Sequence, residues 1–251
     1  MLNTVSFGGG GVPLIIVHGL FGSARNWRVL QKRLAEKRRV IAVDLRNHGD
    51  SFWADDNSYE ALARDLAEVI DANDGVADLL GHSMGGKAAM VLALKAPQKL
   101  RRLIVADIAP VTYNHSQLPY IKAMKSVDMA AVKRRADADR QLQGLIPEAA
   151  MRAFFLQSVA LGEAGARWQL NLDALEAEMP KIMGFPEVNG VFAGPTLFLR
   201  GAASDYVKPE MHQRILQLFP QAEFAEIEGA GHWLHAEKPR EFLQSVERFL
   251  S

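Results

Sequence analysis

The chain has 251 residues, 49% of them hydrophobic and 23% charged, with 29 Lys plus Arg set against 29 Asp plus Glu. That is the make-up of a globular protein with material for one large buried core, and the balanced charge gives no electrostatic reason to expect nucleic acid or an anionic membrane surface as partner. The chain has no cysteine, which excludes disulfides, thiolate metal sites and a cysteine nucleophile.

At the N-terminus there is no basic region, and the apolar stretch Val12 to Val17 is too short for a signal peptide or a membrane span. A cytoplasmic protein without a membrane span is expected. Short apolar runs then recur along the chain: Leu14 to Val17, Val40 to Val43, Val76 to Leu80, Leu103 to Ala106 and Thr196 to Leu199, with Ala222 to Ile227 a weaker sixth. Their apolarity is continuous rather than alternating, which suits parallel strands buried on both faces. Between them lie stretches with helical periodicity: Trp27 to Lys37, Tyr59 to Ala72, Met84 to Ala96, Pro209 to Phe219 and Pro239 to Phe249. Strand and helix in alternation predict a mostly parallel, doubly wound α/β sheet with its chemistry at the C-terminal strand ends.

From Tyr113 to Gly190 the alternation stops. No strand is expected there; helices are predicted around Tyr120 to Met129, Ala130 to Leu142, Pro147 to Leu161 and Leu172 to Met179. Residues 113–190 are therefore expected to be a helical cap, inserted after a strand end into a core made of residues 1–112 and 191–251. Phe154, Phe155, Leu156, Trp168 and Leu172 would suit an acyl pocket or, at helical spacing, the interior of the cap itself.

Gly81-His82-Ser83-Met84-Gly85 has the G-x-S-x-G pattern, with an apolar strand before it and a helix after it. In that setting a tight turn pushes the Ser83 hydroxyl out at the top of the sheet as a nucleophile. His18-Gly19-Leu20-Phe21-Gly22 follows the first apolar run, so the backbone N–H groups of Leu20 and Met84 are candidates for an oxyanion hole. Of seven histidines, His232 has the best context for a general base. It sits in Gly229-Ala230-Gly231-His232-Trp233, on the loop after the last strand. His18 and His235 are expected to be structural, and His82 to point away from Ser83. Two aspartates compete to orient His232. Asp107 ends the strand next to that of Ser83; Asp205 lies in a later loop, one residue beyond Ser204, which is itself three residues after Gly201. The rigid strand end favours Asp107 and leaves Asp205 as the alternative. The histidines are scattered and show no metal-ligand spacing, so no metal is expected.

Five strings resemble the bacterial YbfF-type esterases: His18-Gly19-Leu20-Phe21-Gly22-Ser23, Asp44-Leu45-Arg46-Asn47-His48-Gly49-Asp50-Ser51, the Ser83 segment through Lys87, Asp107-Ile108-Ala109-Pro110-Val111, and Gly231-His232-Trp233-Leu234-His235-Ala236-Glu237-Lys238-Pro239. The resemblance spans nearly the whole chain and is loosest in the cap. It implies an α/β-hydrolase fold with the cap inserted after the sixth strand, the first strand or two of the fold being reduced here. It also implies hydrolysis of small carboxylic esters or thioesters without a cofactor, and an acid at Asp107. The same residues would serve a carbon–carbon bond hydrolase or a slowly turning-over small-molecule receptor. The oligomeric state is not legible.

Overall fold

The computed structural model describes residues 1–163 and 165–251. In chain order the first half runs β1 (Thr4–Phe7), β2 (Leu14–Val17), α1 (Arg28–Leu34), β3 (Val40–Val43), α2 (Tyr59–Asp71), β4 (Ala77–His82), α3 (Met84–Lys95) and β5 (Leu100–Ala106). An inserted segment follows: α4 (Leu118–Lys125), α5 (Arg135–Leu142), α6 (Ala149–Leu156), β6 (Val159–Gly162), β7 (Gly165–Trp168), α7 (Leu172–Ala177) and α8 (Met179–Met183). The chain closes with β8 (Thr196–Gly201), α9 (His212–Leu218), β9 (Ala222–Ile227), α10 (Leu234–Glu237) and α11 (Pro239–Leu250).

The main sheet has seven strands in the order β1-β3-β2-β4-β5-β8-β9. All neighbours are parallel except β1, which pairs antiparallel with β3 at the edge. The six strands expected from apolar runs are all present. β1 had no such signal because three of its four residues are exposed. With β1 counted, the insertion follows the fifth strand of this chain, not a sixth.

Alternate residues of each buried strand point to opposite faces. Leu14, Ile16, Val40, Ala42, Leu80, Ile104, Leu197 and Leu199 pack with Leu30 and Leu34 of α1 and with Phe242, Val246 and Leu250 of α11. Those last three recur every four residues along α11, each worth about 1.5–3 kcal/mol when fully buried. Ile15, Val17, Ile41, Val43, Leu79, Leu103 and Val105 face the other layer, with α2 and α3. From β2 the chain passes through α1 to β3 on one side; it then returns through α2 to β4 on the other side of β2. The connections out of β2 and β4 thus leave on opposite faces. Such a switch point opens a crevice at the C-terminal strand ends, and Leu20 and Ser83 both lie just beyond it.

The inserted segment corrects one expectation, for it is not purely helical. The helix predicted through Leu161 stops at Leu156, and β6 and β7 pair as an antiparallel hairpin. Val159 and Trp168 are buried at the hairpin's open end. Arg135 donates to the carbonyls of Leu156 and Val159 at 3.0 and 2.8 Å, satisfying groups that a continuing helix would have bonded. Most of the hairpin's other residues are partly or fully exposed, so little apolar periodicity marked them. Among the described residues no helix is long and apolar enough to cross a membrane.

Candidate active site

Ser83 sits between β4 and α3 with φ +52° and ψ −121°, a conformation that costs a non-glycine residue of order 1–3 kcal/mol. The surroundings enforce it. The Ser83 N–H donates to Ala106 O at 3.0 Å, and its carbonyl accepts from Lys87 N at 3.1 Å. Two glycines permit the close approach. A β-carbon on Gly81 would stand 2.4 Å from Gly85 O, and one on Gly85 would stand 2.4 Å from His18 O and 2.7 Å from Val17 O. The latter two atoms belong to backbone at the end of β2, which cannot yield. Gly85→Ala should therefore lower stability by about 3 kcal/mol, read as a fall in Tm or in the denaturation midpoint. An unchanged midpoint would show that α3 can shift away from β2.

The register of β4 on β5 pairs His82 with Ala106. Their successors, Ser83 and Asp107, therefore leave neighbouring strands side by side. His232 arrives on the loop after β9 and bridges them: its Nε2 is 3.0 Å from Ser83 Oγ and its Nδ1 donates to Asp107 Oδ2 at 2.7 Å. Asp107 is fully buried, with φ +53°. Its carboxylate also accepts from Gly201 N at 3.1 Å and from the Ser204 hydroxyl. Ser204 was singled out in the sequence only as the position before Asp205; its contact with Asp107 had no sequence signal. Asp205 is elsewhere: its side chain is 91% exposed and faces Lys208 Nζ at 3.3 Å.

The His232 loop is held from below. His82 lies under it, and its Nε2–H donates to His232 O at 2.9 Å. His235 stacks on Trp27 with ring centroids 4.3 Å apart. Burial pushes the pKa of His235 down to about 3 and that of His82 well below the usual histidine value, so both rings are neutral. On the open side Tyr206 stacks on His232, centroids 3.9 Å apart.

Leu20 and Met84 border the same crevice, and neither N–H has a protein partner among the described residues. Met84 opens α3, where the first N–H groups of a helix are free by construction. The Leu20 turn is braced by two buried histidines. His18 Nδ1–H donates to Gly19 O at 2.7 Å while its Nε2 accepts from Leu45 N at 3.0 Å. His48 Nδ1–H donates to Arg46 O at 2.9 Å and its Nε2 accepts from Phe21 N at 3.2 Å. The Asp44–Ser51 string thus serves as a strut: the Asp44 carboxylate accepts from Ala24 N at 2.7 Å and from Asp50 N at 3.0 Å.

A cavity of about 270 Å³ opens over Ser83, walled by Leu20, Phe21, Met151, Phe154, Phe155 and Met183 among others. Of the five apolar residues singled out in the insertion, Phe154 and Phe155 border it. Leu156, Trp168 and Leu172 do not; they are buried in the packing of the insertion. Lys87 also borders the cavity yet is 1% exposed, and burial pushes its pKa down from 10.5 to about 7. Between those values the unfolded chain holds a proton that the folded chain lacks. The cost of burying the charge is fully present below about pH 7 and disappears as pH rises toward the unfolded value. The stability of the protein relative to Lys87→Met should therefore rise by on the order of 3 kcal/mol from pH 7 to 9.5 at 1.36 kcal/mol per unit. Denaturant titrations at both pH values check this, and a gap independent of pH would refute it.

The chain matches the model of the alpha/beta hydrolase family over residues 14–245. It is 44% identical over 249 residues to the sn-1-specific diacylglycerol lipase ABHD11 of Mus musculus, covering 95% of this chain and 80% of that one. It is 37% identical over 243 residues to Esterase YbfF of Escherichia coli K12, covering 95% and 93%. Among solved structures a marine microorganism esterase superposes with a TM-score of 0.95 at 39% identity, covering 99% of this chain and 98% of that one.

Proposed function

The chain belongs to the alpha/beta hydrolase family and is a hydrolase; on that premise we propose that it is a serine carboxylic-ester hydrolase acting on esters or thioesters through an acyl-enzyme. The observation that carries this reading is the hydrogen-bonded line Ser83 Oγ, His232 Nε2, His232 Nδ1, Asp107 Oδ2, with steps of 3.0 and 2.7 Å. Because Nδ1 donates to Asp107, Nε2 presents its lone pair to the Ser83 hydroxyl.

In this mechanism Ser83 Oγ attacks the acyl carbon as its proton passes to His232 Nε2. Asp107 holds the ring in the required tautomer and stabilises the imidazolium. The carbonyl oxygen takes up the negative charge facing the Leu20 and Met84 N–H groups. When the bond to the leaving group breaks, His232 returns the proton to the departing alcohol or thiol. Water then repeats the sequence on the acyl-enzyme, giving the free acid and restoring Ser83. Residues 113–190 act as a cap over this site, with Phe154 and Phe155 against the acyl group. The relatives named as esterase and lipase support the reaction class.

A survey of activated esters and thioesters of increasing acyl length tests the reading. Sustained release beyond one equivalent per chain is expected, with dependence on acyl length. A single burst with no steady rate on every member would make the protein a receptor-like member of the fold.

A further inference from the structure

The last three carbonyls around the end of α8 are groups that a helix leaves without internal partners. Here side chains from the core reach up to take them. Tyr59 of α2 donates its hydroxyl to Ile182 O. Lys87 of α3 donates from Nζ to Met183 O at 3.0 Å and to Gly184 O. Tyr113 N adds a bond to Met183 O at 3.0 Å. Ile182 and Met183, whose backbone is held this way, border the cavity over Ser83, as do Tyr59 and Lys87.

Lys87 is an expensive residue for such a task. It has no carboxylate within 4.0 Å among the described residues, and the titratable groups around it are Tyr59, Tyr113 and His115. Its Nζ lies 5.6 Å from the ring centre of Tyr59 and 4.8 Å from that of Tyr113. An apolar residue of similar length at this position would avoid the burial of an amine altogether. What the amine supplies, and a methionine would not, is a pair of donors that tie the inserted segment to the helix carrying the nucleophile. Lys87 lies one helical turn beyond Ser83, so a tie at this point fixes the wall of the cavity relative to the reacting hydroxyl.

We propose that Lys87, assisted by Tyr59, is a specificity-determining positioning residue: by docking the carboxyl end of α8 it sets how far Ile182 and Met183 stand from Ser83, and so the length of acyl chain the cavity accepts. On this proposal a short acyl group is insensitive to the position of this wall, whereas a longer chain meets it. The proposal rests on the reading of the cavity as an acyl site.

The test uses covalent labelling of Ser83 by two alkyl fluorophosphonates, one ethyl and one octyl, so that selectivity is read without turnover. Lys87→Met should raise the octyl-to-ethyl ratio of labelling rates about tenfold or more. Tyr59→Phe, losing one neutral hydrogen bond, should raise it about threefold. Hydrogen exchange in both variants should show faster exchange at the amides of α8. An unchanged ratio, or a parallel slowing with both probes, would overturn the proposal and leave the two residues structural. If Lys87→Met fails to fold, Tyr59→Phe decides alone, and an unchanged ratio there overturns it. Ester turnover is measured separately: a wild-type protein that takes both probes but releases no acyl group would sink the esterase reading, while the ratios would still decide this one.

Discussion

Replacing Ser83 by alanine should lower kcat by about four to six powers of ten and abolish labelling by a fluorophosphonate, while the fold persists. The size of the effect follows from what is removed. Among the described residues the hydroxyl is the only group within hydrogen-bond reach of His232 Nε2 that can form the covalent intermediate, at 3.0 Å, so its loss leaves the oxyanion donors and binding alone, which by themselves still exceed uncatalysed hydrolysis by about 10³–10⁴. The strained φ of +52° at this position is common to serine and alanine, which carry the same β-carbon, so the Tm of the variant should stay near that of the wild type while the rate is lost. Substantial turnover in Ser83→Ala would show that the reaction runs elsewhere in the cavity.

Asp107→Asn should cost about 10⁴-fold in kcat, whereas Asp205→Asn should cost little. An asparagine amide at position 107 would present N–H to a ring that now donates from Nδ1, favouring the tautomer whose Nε2 carries the proton and cannot take one from Ser83. The Gly201 N–H donates to Oδ1, whereas the Ser204 hydroxyl and His232 Nδ1 share Oδ2; the Gly201 N–H would therefore keep the carboxamide oxygen at the Oδ1 position and leave the nitrogen facing His232, reinforcing the wrong tautomer. Asp205, 91% exposed beside Lys208, carries a surface ion pair worth no more than about 1 kcal/mol. Steady-state rates on one activated ester, with circular dichroism to verify folding, decide the matter. If Asp205→Asn were the more damaging change, the acid would have to reach His232 by a rearrangement of the loop after β8.

The two candidate acids show where the sequence stopped being informative. Both follow predicted strands, and both precede a histidine loop in the order the chemistry requires. Spacing from Gly201 argued against Asp205 but could not say where its side chain would go. What separates them is the pairing of β5 with β4 on one side and β8 on the other, which sinks Asp107 to zero exposure and turns Asp205 out to solvent. The hairpin β6–β7 stayed hidden for a different reason. It is anchored by Trp168 donating to Met124 O at 3.0 Å and, one residue beyond β7, by Gly49 N donating to Gln169 O at 2.8 Å, contacts with residues 44 and 120 positions away that leave no local period.

The sequence by itself determined the parallel α/β architecture, the insertion between its strands, the strand–turn–helix around Ser83 and the glycine-flanked loop of His232. These depend on local quantities: runs of apolar residues that bury a strand on both faces, a helical period, and glycines where backbone must approach backbone. Tertiary structure alone decided which carboxylate meets His232, that Ser204 joins it, that His18 and His48 brace the Leu20 turn, and that Lys87 lies buried against the end of α8. Each of those outcomes is fixed by register and packing between segments tens to more than a hundred residues apart. There a side chain's partner is set by the sheet order rather than by its neighbours in the chain.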